Sequence, residues 1–154
     1  MSSAAEQLAA LGLTLPPVTA PVAAYVPAVR TGSYVYVSGQ LPVVDGKLPA
    51  TGKVGDAVSA QDAAGLARTC ALNALAAAAE AAGGLDAIVR IVKVLGFVAS
   101  APGFNGQPQV VNGASELLIE VFGEAGRHAR SAVGVAELPL DAQVEVELIA
   151  EVRA

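Results

Sequence analysis

Ile88-Val89-Arg90-Ile91-Val92-Lys93-Val94-Leu95-Gly96-Phe97-Val98-Ala99 is the stretch on which the reading of the fold turns. It is rich in β-branched residues, which pack well on a pleated surface, and Arg90 and Lys93 interrupt it too closely for a buried helix. It therefore predicts a central strand. The periodicity on either side is helical. Upstream, Ser59 with Asp62 opens a helix that runs to about Ala82, where Gly83-Gly84 supplies a stop; Leu66, Cys70, Leu72 and Leu75 give it bulk among many alanines. Downstream, Asn105-Gly106 and Pro108 mark a loop, after which Val111, Ala114, Leu118, Val121 and Phe122 recur at helical spacing up to Gly123.

Further strands frame this unit. Gly32-Ser33 can turn the chain inside 29–38, where Tyr34-Val35-Tyr36-Val37 are strong strand formers. Asp45-Gly46 marks another turn, although Pro42 and Pro49 demote its flanks to edge or irregular strands. Ala129 to Ala136 and Gln143 to Val152 read as two more strands, joined by Leu138-Pro139-Leu140-Asp141. In the last strand Val144, Val146 and Leu148 alternate with Glu145, Glu147 and Ile149, so one face is apolar and the other carries acids. At the N-terminus, Ser3 and Glu6 have the spacing of a capping box over a short helix, and Pro16, Pro17, Pro21 and Pro27 enforce an extended, irregular path. The expectation is an α+β fold: a mixed β-sheet with two long helices packed on one face, plus a short N-terminal helix. Residues 1–24 form the helix and proline-rich arm and residues 25–154 the domain proper, in a single-domain chain.

With 154 residues, the chain suits one domain. Hydrophobic residues make up 54% and charged residues 15%, so a monomer has too few polar groups to cover itself and an oligomer is expected, with a partner burying the sheet face opposite the helices. The net charge of −5 opposes nonspecific binding to nucleic acid. Cys70, the sole cysteine, excludes an intrachain disulfide and reads as a small buried side chain. With His128 the sole histidine, a zinc site of several such ligands is implausible and a Ser-His-Asp triad has a single possible base. Neither a P-loop lysine motif nor a dinucleotide glycine fingerprint is found, so cofactor-free and metal-free chemistry is expected. The first residues carry no signal-type pattern, and Asp62, Arg68, Glu80, Arg90 and Lys93 break the apolar stretches. No membrane span is expected, and a soluble cytoplasmic protein is.

In a chain poor in positive charge, Arg127-His128-Ala129-Arg130-Ser131 at the start of a strand is the main polar concentration. Arginine can grip a carboxylate through two parallel charge-assisted hydrogen bonds, which makes a small anion the natural ligand. The alternative is that both arginines are solvated or pair with Glu124, Glu137 or Glu145.

Tyr25 followed by Pro27-Ala28-Val29, then Val37-Ser38-Gly39-Gln40-Leu41-Pro42, Asn112, Arg130-Ser131, Leu138-Pro139-Leu140-Asp141-Ala142 and Val144-Glu145-Val146-Glu147 occur in one order. In that order the chain resembles the Rid/YjgF family, also called endoribonuclease L-PSP-like, over roughly Tyr25 to Val152, and its added arm is similar to a longer branch of that family. The resemblance implies a chorismate-mutase-like fold and a homotrimer with three clefts between adjacent subunits. It implies hydrolytic deamination of small enamine or imine carboxylates to a 2-keto acid and ammonia, with Arg130 holding the carboxylate and Glu145 orienting or activating water. Tyr25, Ser38, Gly39 and Asn112 would shape the pocket. Without that resemblance, Tyr25 reads as a strand-edge aromatic, Ser38-Gly39 as a strand terminus, Asn112 as a helix cap, Glu145 as part of a solvated sheet face and His128 as a surface or interface residue. Many deaminating members carry cysteine or threonine where this chain has Ala132, and serine where it has Val26. Those departures favour a second reading, a trimer that binds small carboxylates without turning them over. Ribonuclease activity, a third reading, fits the acidic charge poorly.

Overall fold

The computed structural model describes every residue from Met1 to Ala154 except Thr19 and Val22, which fall in the expected proline-rich arm. Five strands form one sheet: β1 (Ala28–Thr31), β2 (Tyr34–Gln40), β3 (Ile88–Ala99), β4 (Ala129–Val135) and β5 (Val144–Val152), in the order β1-β2-β5-β3-β4. Only β3 and β4 run parallel, because helix α3 (Gln107–Phe122) carries the chain back between them; the other neighbours are antiparallel. The stretch 88–99 is thus an interior strand as expected, while the middle place belongs to β5.

Helix α2 (Ala60–Ala82) and α3 cover one face. α2 begins at Ser59, whose hydroxyl accepts from the Asp62 amide at 3.0 Å, and stops at Gly83, in a left-handed conformation that glycine adopts without penalty. Its bulk lies elsewhere than the leucine pattern suggests. Ala63, Ala67, Cys70, Ala71, Ala74, Leu75 and Ala78 are fully buried, whereas Leu66 and Leu72 are only partly so. Small side chains let the helix lie close to the sheet and to α3. Closeness also depends on two glycines: Val111 of α3 fills the space beside Gly96 on β3, and the Ala64 carbonyl of α2 fills the space beside Gly113 on α3. The opposite face of the sheet carries no helix, and there Val29, Tyr34, Tyr36 and Val133 are exposed.

α3 starts earlier than the loop signals suggest. Pro108 sits in its first turn, where the missing N–H costs nothing, so Asn112 lies inside the helix and is neither ahead of it nor its cap. At the N-terminus, α1 (Ala4–Ala10) is closed by the expected capping box, Ser3 N to Glu6 Oε2 at 2.9 Å and Glu6 N to Ser3 Oγ at 3.2 Å. The Ala5 amide donates to Asp86 Oδ1 at 2.9 Å, and Leu8 enters the core, with Leu13, Leu15 and Val18 packed against it. The link from β4 to β5 contains Leu140 and Asp141, both at φ 58°, a left-handed conformation that costs a leucine about 1 kcal/mol or more.

The two helices make opposite demands on glycine. Gly65, exposed on α2, has open space where a side chain would go, so Gly65→Ala is expected to stabilise the protein by about 0.5–1 kcal/mol through helix propensity. Gly113→Ala drives a methyl into the Ala64 carbonyl and is expected to cost about 2 kcal/mol net of that propensity gain. Urea unfolding midpoints of the two variants should move in opposite directions.

Candidate functional site

Parallel register places Arg130 of β4 beside Val94 of β3, on the face covered by the helices. Its side chain reaches the polar edge of α3. Arg130 Nη1 donates to Asn112 Oδ1 at 2.8 Å and to Ser115 Oγ at 3.2 Å, and Nη2 donates to the Pro108 carbonyl at 3.3 Å. Asn112 and Ser115 are three residues apart on a helix and so share a face. Three of the five guanidinium N–H groups are thereby engaged. The Nε–H and one Nη2–H have no acceptor among the described residues, and these nitrogens border one edge of the guanidinium, the fork that a carboxylate grips bidentately.

The alternative pairings fall to other groups. Arg127 pairs with Glu124 at 3.0 Å and Glu137 with Lys53 at 2.9 Å, while Arg130 forms no salt bridge among the described residues. Ala132, two residues on, faces the same side and packs against the core beside Gly96, adding no polar group.

A second cluster gathers the remaining expected residues. The Ser38 hydroxyl donates to the Val26 carbonyl at 2.7 Å and the Ser38 amide to the Pro27 carbonyl at 2.9 Å, which lays the Tyr25-Val26-Pro27 segment, with Tyr25 and Val26 exposed, along the end of β2. Gly39 stands against the Glu145 carboxylate, in space that any side chain there would occupy. Glu145 pairs with Phe97 across β5 and β3 and therefore faces the open side of the sheet. Burial raises its pKa, and the neighbouring Glu147 charge adds to the rise. Along the same face runs a shallow groove of about 680 Å³ whose lining includes Tyr36, Ser38, Lys93, Leu95, Glu147 and Ile149.

The expected residues thus fall into two sets. Arg130 and Asn112 touch; Tyr25, Ser38, Gly39 and Glu145 lie together elsewhere. β4 and β5 flank β3, so Arg130 and Glu145 stand two strands apart and on opposite faces, with Ser38 and Gly39 on β2 one strand further away. Sequence reasoning missed Ser115 and assigned His128 no partner. His128 Nδ1 lies 2.6 Å from the Gly126 carbonyl and Nε2 lies 2.9 Å from Ser115 Oγ. Burial lowers the His128 pKa and the Arg130 cation adds to this, against the Gly126 hydrogen bond, which raises it. Of the remaining candidates, Cys70 is fully buried, its thiol pushed well above the usual range by burial, with the Glu145 charge adding to the rise. Among the described residues no three His, Cys, Asp or Glu side chains converge to hold a metal, and no helix is long and apolar enough to cross a membrane.

The sheet with two covering helices has known counterparts. A family model described as "YjgF/chorismate_mutase-like, putative endoribonuclease" matches residues 5–152. The chain belongs to this family. Protein TCP17 of Trypanosoma cruzi is 45% identical over 148 residues, covering 96% of this chain and 92% of that protein. The crystal structure of Atu1372 from Agrobacterium tumefaciens is 47% identical, with a TM-score of 0.90, over 97% of this chain and 92% of that one. Escherichia coli TdcF with bound serine is 31% identical, with a TM-score of 0.65, over 89% of this chain and 94% of that one. The family match begins at residue 5, so it includes α1 as well as the domain proper.

Glu145 gives a pH test. A carboxyl whose folded pKa is raised contributes stability that is present below its unfolded value and lost as the pH rises through the folded one. Removing the charge with Glu145→Gln should therefore make the protein more stable than the parent at neutral pH, with the gap closing as the pH falls through the carboxylate range. Thermal melts across pH check this; a gap that widens at low pH would contradict it.

Proposed function

We propose that the protein is a soluble cytoplasmic homotrimer whose clefts between subunits take small enamine or imine carboxylates and hydrolyse them to a 2-keto acid and ammonia. The observation that carries the reading is Arg130, a guanidinium held by Asn112, Ser115 and the Pro108 carbonyl whose Nε–H and one Nη2–H have no acceptor among the described residues. A carboxylate is the anion whose two oxygens match that fork, and lysine could not replace it. TdcF, similar in fold and sequence, holds serine, a small carboxylate.

The separation of the two clusters supports an assembly. One chain does not bring Arg130 and Glu145 to the same ligand; a second copy docked on the open face, where Val29, Tyr36 and Val133 are exposed, would supply the missing half. There Glu145 holds a water against the imine carbon and accepts its proton. A C–O bond forms, the carbinolamine collapses with loss of the C–N bond, and nitrogen leaves as ammonia after taking up protons. A carboxyl pushed upward by burial is a better base for this step than an ordinary surface glutamate. Tyr25, Ser38 and Gly39 wall the cleft, Gly39 by leaving Glu145 its space.

The second reading, a trimer that binds 2-keto acids without turnover, is favoured by Ala132 and Val26, which put no polar side chain where many deaminating relatives carry one. The −5 net charge weighs against RNA as substrate. Generating 2-aminoacrylate in situ separates the readings. Faster release of ammonia and pyruvate than in buffer is expected, with Arg130→Ala losing about 30-fold in kcat/KM, the effect of about 2 kcal/mol of charge-assisted hydrogen bonding. Glu145→Gln is expected to bind pyruvate normally and release no ammonia. Pyruvate binding without turnover in the parent would select the binding reading, and RNA cleavage abolished by Arg130→Ala would overturn both.

A further inference from the structure

His128 stands two residues before Arg130, immediately ahead of β4, and its half-buried ring makes two directed contacts, to the Gly126 carbonyl at 2.6 Å and to Ser115 Oγ at 2.9 Å. A carbonyl only accepts, so Nδ1 carries the proton and Nε2 is the acceptor. The Ser115 hydroxyl must then donate to Nε2. This leaves its lone pairs for Arg130 Nη1 at 3.2 Å. Hydrogen bonds therefore run in one sense from Arg130 to Ser115, to His128, to the Gly126 carbonyl, with every donor and acceptor in the chain used once.

The chain is tied to α3 at two points. Ser115 lies in the middle of α3, and the terminal Gly126 is pressed against the backbone of Leu118 and Ile119 so closely that no side chain would fit. Neither point can drift far without moving the helix. Charged and titratable groups surround the ring: Arg130 on the strand that follows, Arg127 next to it, Glu124 in the preceding turn, and Tyr34, Arg90 and Glu151, which line the groove that His128 shares. Three of these are cations, and burial and the Arg130 charge both hold His128 neutral, the form in which Nε2 can accept.

We propose that Ser115 and His128 are positioning residues that lock Arg130 Nη1 in place and so keep the Nε and Nη2 edge open toward the carboxylate. The proposal rests on the reading of Arg130 as carboxylate anchor. Without the Ser115 acceptor, Nη1 keeps Asn112 alone, an exposed side chain, and Nη2 keeps only its 3.3 Å bond to the Pro108 carbonyl, so the guanidinium is held more loosely. Preorganisation of this kind acts on ligand binding; the reacting atoms are untouched.

The test combines pyruvate calorimetry with nitrogen NMR of the Arg130 guanidinium in the free protein. Ser115→Ala and His128→Leu are each expected to weaken pyruvate binding about fivefold, the effect of one lost hydrogen bond, and to raise KM with kcat unchanged. The double variant should lose no more than either single, because both act through one chain of bonds. Ser115→Thr and His128→Gln, which keep a hydroxyl and an acceptor, should return to within about twofold of the parent. In the NMR spectrum, the Nη signals should be resolved in the parent and averaged in Ser115→Ala whether or not pyruvate binds. If Arg130→Ala abolishes binding while Ser115→Ala and His128→Leu bind as the parent does, the positioning role is wrong and the anchor stands. If Arg130→Ala binds as tightly as the parent, the anchor fails and the proposal with it. Resolved Nη signals in Ser115→Ala, or equal loss in the conservative and disruptive variants, would also overturn it.

Discussion

Gly113 has no side chain, and the Ala64 carbonyl occupies the space one would take, so α3 lies against α2 more closely than an alanine there would allow. The fully buried alanines along α2 serve the same approach, since each removes bulk that would push the helices off the sheet. From that position α3 hangs a polar edge, Pro108, Asn112 and Ser115, over the outer strand β4. Arg130 would otherwise reach into solvent from an edge strand. Instead it is bonded on one side and open on the other. That geometry follows from how two helices pack.

The sheet divides the remaining chemistry. On the helix side stands a cation with its counter-charges elsewhere; on the open side stands Glu145, held in a less polar setting with Glu147 two residues along the same face. On the proposed reading the two act on one ligand, which separate faces of one chain do not allow. The same open face carries exposed valines and tyrosines that water solvates poorly. In the proposed assembly, docking of another copy would both bury that apolar surface and bring a carboxylate to an arginine.

Much of this was legible along the chain because it depends on local chemistry. Ser59 and Ser3 cap helices through their own hydroxyls, and β-branched residues from Ile88 onward pack as a strand whatever lies beyond them. Alternation in β5 carries through residue by residue to alternate burial. Asn112 was less readable: Asn105-Gly106 and Pro108 look like a loop, but proline belongs in a first helical turn, so the helix begins before the asparagine. Leu66 and Leu72 carry the hydrophobicity expected of a core while alanines take the core positions, because the spacing between elements, and not hydropathy, decides which side chains fit.

The sequence by itself determined the element types, the α+β class, the arginine in a charge-poor chain and the acids on one face of the last strand, since each follows from propensity, period or composition. Only the tertiary structure decided that Arg130 has no ion-pair partner among the described residues while Arg127 and Glu137 have one, that Ser115 and His128 meet beside it, and that Glu145 faces away from it. The physical reason is distance along the chain. Those relations join α3 to β4 and β5 to β3, and they are set by helix packing and strand register, which no local window of residues contains.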